Sequence, residues 1–127
     1  MPQRDPVQTD AAPEAVGPYS QAIRAGDLLF VSGQIPLDPS SGELVKLDAP
    51  GQARQCLENV SAICEAAGTS LANAVRLTVW LTDMNDFARV NEAYADFFES
   101  DPPARVAVQV SALPKGADVE VDAIVAL

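Results

Sequence analysis

The sequence predicts an α+β fold in which one mixed β-sheet carries two helices on one of its faces. Two stretches repeat apolar residues every three or four positions, as in a helix with one buried side. Several shorter stretches alternate apolar and polar residues, which is the pattern of half-buried strands. In chain order these stretches run β-β-α-β-α-β-β, and this order favours a single sheet with helices on one side.

The chain opens with a predicted flexible lead-in over residues 1–12, and residues 13–127 are expected to form a single domain. Two short predicted strands follow the lead-in, at 17–23 and 28–34. The turn-forming residues Ala25-Gly26-Asp27 separate them. This arrangement predicts a β-hairpin at the start of the domain.

The first helix has recognisable signals at both ends. Asp48 stands where an N-cap belongs, Pro50 suits the first turn, and Gly68 is a typical C-terminal stop. Between these signals the apolar residues fall on one face of a helix: Ala53, Cys56, Leu57, Val60, Ile63, Cys64 and Ala67.

Three strands and the second helix complete the predicted order. Residues 75–81 alternate, with Val75, Leu77, Val79 and Leu81 on one face. A helix is expected to begin near the candidate cap Asp83, and strands are expected at 105–110 and 119–126. The apolar stripe of this second helix contains Phe87, Val90, Tyr94, Phe97 and Phe98.

The predicted sheet has a second face that two helices cannot cover. This face is expected to carry Trp80, Ile124 and either Phe30 or Leu29, among small and polar residues. Such a face is too apolar to remain in contact with water. We therefore expect it to be buried against further copies of the chain in a closed homo-oligomer.

Charge and composition exclude several classes of function. The 127 residues carry 18 acidic and 8 basic side chains, a net charge of −10, and no histidine. An acidic protein is a poor partner for nucleic acid or an anionic membrane, so we expect neither. Without histidine there is no Ser–His or Cys–His nucleophile pair and no imidazole metal ligand.

The two cysteines indicate a reducing compartment. Cys56 and Cys64 lie eight residues apart on one predicted helix, about 12 Å between Cα atoms, which is too far for a disulfide. We expect both to be buried packing residues. The N-terminus has neither a signal peptide nor a basic transit sequence, and no stretch has membrane-spanning length, so we expect a cytoplasmic protein.

Two charged residues stand inside apolar strands and are candidates for chemistry. Arg105 alternates with valines, and its neighbours Ala107 and Gln109 place it on the face that the helices leave open. Arg105 either extends into solvent at the end of a strand, or forms a salt bridge, or anchors a small carboxylate. Glu120 is an edge charge, the partner of Arg105, or a carboxylate that orients or deprotonates water.

Three further positions offer polar groups. Tyr19 follows a rigid Gly17-Pro18 turn and suits either a core position with a polar tip or a binding site. Ser32 and Gly33, near the end of a predicted strand, offer a hydroxyl and accessible N–H groups, or form an ordinary turn. Asn91 lies on the second helix and by itself is a weak candidate.

Six segments of the chain form a distinctive series: APEAVGPYSQAI at 12–23, VSGQIPLDP at 31–39, QARQCLENVSAICEAAG at 52–68, LTDMNDFARVNEAY at 81–94, PAR at 103–105 and LPKGADVEV at 113–121. In their residues and in their order, these segments resemble the RidA/YjgF family. These segments run in order through nearly the whole chain after the lead-in. A match of this extent is far more specific than a single short motif.

The resemblance implies a chorismate-mutase-like subunit that assembles as a homotrimer with active sites between subunits. The implied activity is hydrolysis of reactive 2-imino or enamine acids, such as 2-iminopropanoate and 2-iminobutanoate, to 2-oxo acids and ammonia. It needs no metal and no organic cofactor. Binding of 2-oxo acids without turnover and hydrolysis of another unstable metabolite remain alternatives. RNA cleavage, a third possibility, is disfavoured by the acidic charge.

The resemblance also implies roles for individual residues. Arg105 matches the arginine that holds the substrate carboxylate, and Glu120 matches the glutamate associated with the attacking water. The residues that match the lining of the same cleft are Tyr19, Ser32, Gly33 and Asn91.

Two departures from the family pattern concern this cleft. Many deaminase members carry Ser-Cys directly after the PAR arginine, where this chain has Val106 and Ala107. Ala107 keeps the backbone groups that a cysteine would offer to substrate, but not its thiol. The stretch at 98–103 is also short, which predicts a more open cleft mouth and a different substrate range.

Overall fold

One mixed sheet and two helices form the fold, as the sequence predicts. The structure is a computed structural model that describes residues 2–127. Its six strands lie in the order β1-β2-β3-β6-β4-β5, and only β4 and β5 pair in parallel. The elements are β1 (Asp5–Val7), β2 (Ala22–Ala25), β3 (Leu28–Gln34), α1 (Ala49–Ala66), β4 (Ala74–Leu81), α2 (Phe87–Ala95), β5 (Ala104–Gln109) and β6 (Val119–Ala126).

Helix α1 has the predicted ends and the predicted buried side. The Asp48 carboxylate accepts a hydrogen bond of 3.1 Å from the Gly51 N–H, so it caps the helix. The chain leaves the helix at Gly68, whose φ of +86° suits glycine. All seven residues of the predicted apolar stripe are buried. In the described part of the chain, neither helix combines the length and apolarity needed to cross a membrane.

Helix α2 begins later than its predicted cap. The Asp83 carboxylate accepts from the Asn85 N–H and starts a short 3₁₀ turn, after which α2 runs from Phe87 to Ala95. Phe97 and Phe98 lie beyond the end of α2, yet both still pack against the core. The apolar stripe therefore includes residues outside the helix, because core packing continues after the helical hydrogen bonds stop.

The lead-in predicted to be flexible contains a strand. Val7 in β1 is buried and pairs with Ala22, so β1 forms one edge of the sheet. The buried Gln21 side chain holds the segment that follows: its Oε1 accepts from the Thr9 N–H at 2.7 Å, and its Nε2 donates to the Pro13 carbonyl at 2.8 Å. These partners lie eight or more residues apart in sequence, so no local pattern in residues 1–12 indicated the strand.

The hairpin is present, but its first strand is shorter than the predicted 17–23, because β2 begins at Ala22. On β4 a register shift lies between Ala74 and Arg76, and Val75 is exposed. The predicted alternation is therefore wrong at Val75, although Leu77, Val79 and Leu81 are buried under the helices as expected. A bulge interrupts the period of two on which the alternation depends.

The open face of the sheet is apolar. Phe30 is 42% exposed and pairs with Ile124, whereas Leu29 is fully buried beneath the helices. Of the two residues predicted for the open face, Phe30 lies on it and Leu29 does not. Other apolar residues at least partly exposed on this face are Trp80, Val106 and Val108.

The prediction that Arg105 lies on this open face is wrong. On β5, Arg105 pairs with Leu77 and Ala107 pairs with Val79, and both partners are buried on the helix side. Arg105 therefore points to the helix side, and Val106 points to the open face. The valines of β5 were expected to face the helices, but β5 is an edge strand whose apolar side is the one without helices.

We expect the Asp48→Ala variant to lower the free energy of unfolding by about 1 kcal/mol, because the Gly51 N–H in the first turn of α1 loses its side-chain acceptor. Chemical denaturation at a fixed protein concentration measures the change. Asp10→Ala, at an exposed position outside both helices, is the control. Equal stability of the two variants would contradict the capping role.

Candidate active site

Three residues on one side of α2 hold Arg105. The Asn91 Oδ1 accepts a hydrogen bond of 2.7 Å from Arg105 Nη1. The guanidinium carbon lies 4.8 Å from the ring centre of Tyr94 and 5.5 Å from that of Phe87. Positions 87, 91 and 94 share one helix side because they are spaced by four and three residues. Asn91 is thus a positioning contact of Arg105.

Arg105 has unused capacity for an anionic ligand. Its side chain lies at an exposed position and, within residues 2–127, no carboxylate oxygen lies within 4.0 Å of its guanidinium. The alternative that Arg105 forms a salt bridge with Glu120 is therefore wrong for the single chain. A guanidinium has five N–H donors, and Asn91 uses only Nη1, so donors remain for a carboxylate.

A cavity of about 310 Å³ lies at the open face and brings four predicted site residues together. Tyr19, Ser32, Gly33 and Glu120 line it. Its remaining lining residues are apolar and were not singled out from the sequence: Val16, Ile35 and Pro114. They come from three loops or strand ends that are distant in sequence, so only the fold reveals the shared wall.

A bulge in β3 shapes this cavity. Val31 pairs with Ala123 and Gln34 pairs with Val121, so β3 uses three steps where β6 uses two. Ser32 and Gly33 occupy the irregular stretch. A Cβ at position 33 would collide with the Glu120 carboxylate, whose Cδ would lie only 3.0 Å away. Glycine is therefore required at this position if Glu120 is to lie over the strand.

The two hydroxyls of the cavity have complementary hydrogen-bonding capacity. The Tyr19 hydroxyl accepts a bond of 3.2 Å from the Val16 N–H, which leaves its own proton available. The Ser32 hydroxyl donates to the Ser20 carbonyl at 2.6 Å, which leaves its lone pairs available. Tyr19 is 45% exposed and is not a core residue. The cavity can therefore both donate to and accept from a small polar molecule.

The environment of Glu120 favours its protonated form. Burial raises the pKa of the Glu120 carboxyl, and the nearby Asp122 charge raises it further. Both residues point to the same side of β6. A carboxyl with a raised pKa exchanges a proton closer to neutral pH, which suits a general acid or base.

Arg105 and Glu120 lie on opposite faces of the sheet in one chain. Arg105 pairs with Leu77 of β4, whereas Glu120 pairs with Trp80, three residues further along. Their strands flank β4, so about 10 Å separates them across the sheet and about 10 Å along it. One small molecule cannot contact both side chains of the same chain.

The remaining candidate residues offer packing rather than reactive groups. Ala107 is half-buried on the Arg105 side of β5 and packs against the core. Cys56 and Cys64 are both buried free thiols, as predicted. Burial raises the pKa of both, to about 11 for Cys64, so neither is a thiolate at neutral pH.

Among residues 2–127, no three His, Cys, Asp or Glu side chains gather to hold a metal ion.

The contacts of Phe87 and Tyr94 with Arg105 were not predicted from the sequence. Both were assigned to the apolar stripe of α2, and both do pack on the core. The spacing of Phe87, Asn91 and Tyr94 carried a signal, because a polar residue lies between two aromatics on one helix side. No signal showed that β5 places Arg105 against that side.

Comparisons with known proteins agree on the class that this fold and these site residues define. A family model described as Endoribonuclease L-PSP matches residues 9–127. The crystal structure of RidA from the Antarctic bacterium Psychrobacter sp. is 48% identical, with a TM-score of 0.94 over 97% of this chain and 99% of that one. The chain belongs to this family, the RidA/YjgF family, as its motifs predict.

Two relatives show the range of names within the family. A RutC family protein of Pyrococcus horikoshii is 55% identical over 121 residues, which are 95% of this chain and 96% of that protein. The 2-iminobutanoate/2-iminopropanoate deaminase of Mus musculus is 49% identical over 121 residues, which are 95% of this chain and 90% of that protein.

We expect the Asp122→Asn variant to lower the pKa of Glu120, because it removes the second negative charge beside that carboxyl. Burial is the larger cause, so the pKa stays above the ordinary glutamate value. Carbon-detected NMR titration of the side-chain carboxyls measures both effects. Asp27→Asn, in an exposed turn, is the control. An unchanged or higher Glu120 pKa in Asp122→Asn would contradict this assignment.

Proposed function

We propose that this protein hydrolyses small 2-imino acids, such as 2-iminopropanoate and 2-iminobutanoate, to 2-oxo acids and ammonia. Each active site would lie between two copies, with Arg105 of one copy facing the Glu120 cavity of the next. The observation that carries the proposal is the placement of the Arg105 guanidinium, which has free donors, and of the Glu120 carboxyl, which lines a cavity, on opposite faces of one sheet. The deaminase relative supports the reaction.

The open sheet face supports assembly as a homotrimer. Phe30 and Val106 are each more than 40% exposed, and they lie on the side that carries no helix. Contact between copies would remove this apolar surface from water and stabilise the assembly. A closed ring gives every copy one neighbour on each side. The sheet edge that carries Arg105 in one copy can therefore meet the Glu120 cavity of one neighbour.

In the proposed reaction, Arg105 binds the substrate carboxylate and turns the imine carbon toward the cavity. Glu120 takes a proton from a water molecule while the water oxygen attacks the C=N carbon. The electron pair of the C=N bond moves to nitrogen, and Glu120 passes the proton that it took from water to this nitrogen, which gives a carbinolamine. Glu120 then transfers the proton of the carbinolamine hydroxyl to the nitrogen while the C–N bond breaks, so the products are the 2-oxo acid and ammonia. Tyr19 and Ser32 would order the water and the nitrogen through their available proton and lone pairs.

A second candidate function is binding of 2-oxo acids without turnover. One observation favours it: Ala107 supplies no thiol beside Arg105, where many deaminase members carry a cysteine. In the proposed reaction Glu120 directs the water, so the thiol is dispensable. Cleavage of RNA is a poorer candidate despite the family description, because a net charge of −10 repels a polyanion.

One assay separates hydrolysis from binding. A serine or threonine dehydratase generates the imino acid, and its loss is followed spectroscopically with and without the protein. We expect acceleration by the wild-type protein and a loss of roughly 100-fold or more in Arg105→Ala, because the carboxylate loses its paired donors. No acceleration over buffer would refute hydrolysis, and an unchanged rate in Arg105→Ala would place the anchor elsewhere.

Mixed assemblies test the shared site. Arg105→Ala and Glu120→Gln chains, each inactive alone, are co-expressed with different tags, and hybrids are purified through both tags. If each site is built from two copies, these trimeric hybrids have about one third of the wild-type activity, because every ring that contains both kinds of chain has both intact residues at one of its three sites. Hybrids as inactive as their parents would show that each site lies within one chain. Hybrids of wild-type chains with both tags are the control.

A further inference from the structure

Tyr94 has a contact that core packing alone does not explain. Its ring centre lies 4.8 Å from the guanidinium carbon of Arg105, within the range of an attractive cation–π interaction. Phe87 contributes a second ring at 5.5 Å. With the Asn91 hydrogen bond, two rings and one amide oxygen limit where the guanidinium can lie.

The hydroxyl of Tyr94 does not explain why a tyrosine stands at this position. Tyr94 is 7% exposed, and its buried hydroxyl has no hydrogen-bond partner within the described part of the chain. A buried hydroxyl without a partner destabilises a fold, so the useful part of Tyr94 is its ring. Phe98 packs on the same ring, with 4.8 Å between ring centres.

We propose that Tyr94, assisted by Phe87, is a positioning residue that sets the affinity of Arg105 for a carboxylate. A free arginine side chain loses much rotational freedom when it binds an anion. An arginine already held against two rings loses less, so it binds the carboxylate more tightly. The inference rests on the proposed function for the identity of the ligand, a small 2-oxo or 2-imino acid.

The experiment measures binding of 2-oxobutanoate by calorimetry in three variants. Tyr94→Leu removes the ring beside Arg105, and we expect its Kd to rise about tenfold. Tyr94→Phe keeps the ring and removes only the hydroxyl, so we expect its Kd to stay close to that of the wild-type protein. Phe98→Leu removes similar volume from the same cluster without touching Arg105, and it should lower stability while Kd stays within twofold.

An NMR measurement separates positioning from general packing. The side-chain N–H protons of Arg105 should show an upfield ring-current shift that Tyr94→Leu removes and Tyr94→Phe keeps. If Tyr94→Leu does not fold, Phe87→Leu tests the same prediction with a smaller effect. An unchanged Kd in the folded ring-deletion variant, or an equal loss in Phe98→Leu, would overturn the proposal.

The measurements distinguish failure of the proposed hydrolysis from failure of the positioning role of Tyr94. If the wild-type protein binds 2-oxobutanoate but does not accelerate imine loss, hydrolysis is refuted, whereas the role of Tyr94 is still decided by the variants. If the wild-type protein does not bind 2-oxobutanoate at all, both the ligand class and the positioning role are refuted.

Discussion

The alternation of side chains across one β-sheet is the constraint on which the proposed site depends. Because successive residues of a strand point to opposite faces, β5 presents Arg105 on the helix side, while β6 presents Glu120 on the open side. No rotamer change brings these two groups to one small molecule within a single chain. If both act on one substrate, assembly of copies is a requirement of the chemistry as well as a means of covering apolar surface.

Each half of the candidate site is prepared by its own local structure. On one side, three residues at helical spacing on α2 hold the guanidinium through Asn91 and two rings. On the other, the bulge at Ser32 and Gly33 makes room for the Glu120 carboxylate, whose pKa is raised by burial. Preorganisation of both halves suits a reactive substrate, for which correct orientation supplies much of the rate.

Local patterns were sufficient for the two helices and for five of the six strands, but not for β1 or for the orientation of the sheet faces. Asp48 and Gly68 mark the ends of α1 because capping depends on neighbouring residues. The predicted orientation of Arg105 was wrong because the alternation of residues predicts which side chains share a face, but not which face lies under the helices. Strand β1 was missed because Gln21, distant in sequence, holds the segment beside it. The family motifs supplied the candidate site residues, but not their separation across the sheet.

The most direct test of the shared site is a crystal structure of the assembled protein with 2-oxobutanoate bound. We predict a ligand whose carboxylate contacts the Arg105 guanidinium of one copy, while its carbonyl carbon lies in the cavity beside Glu120 of the next. A ligand bound by residues of a single chain, or an assembly in which Arg105 lies far from every neighbouring copy, would contradict it.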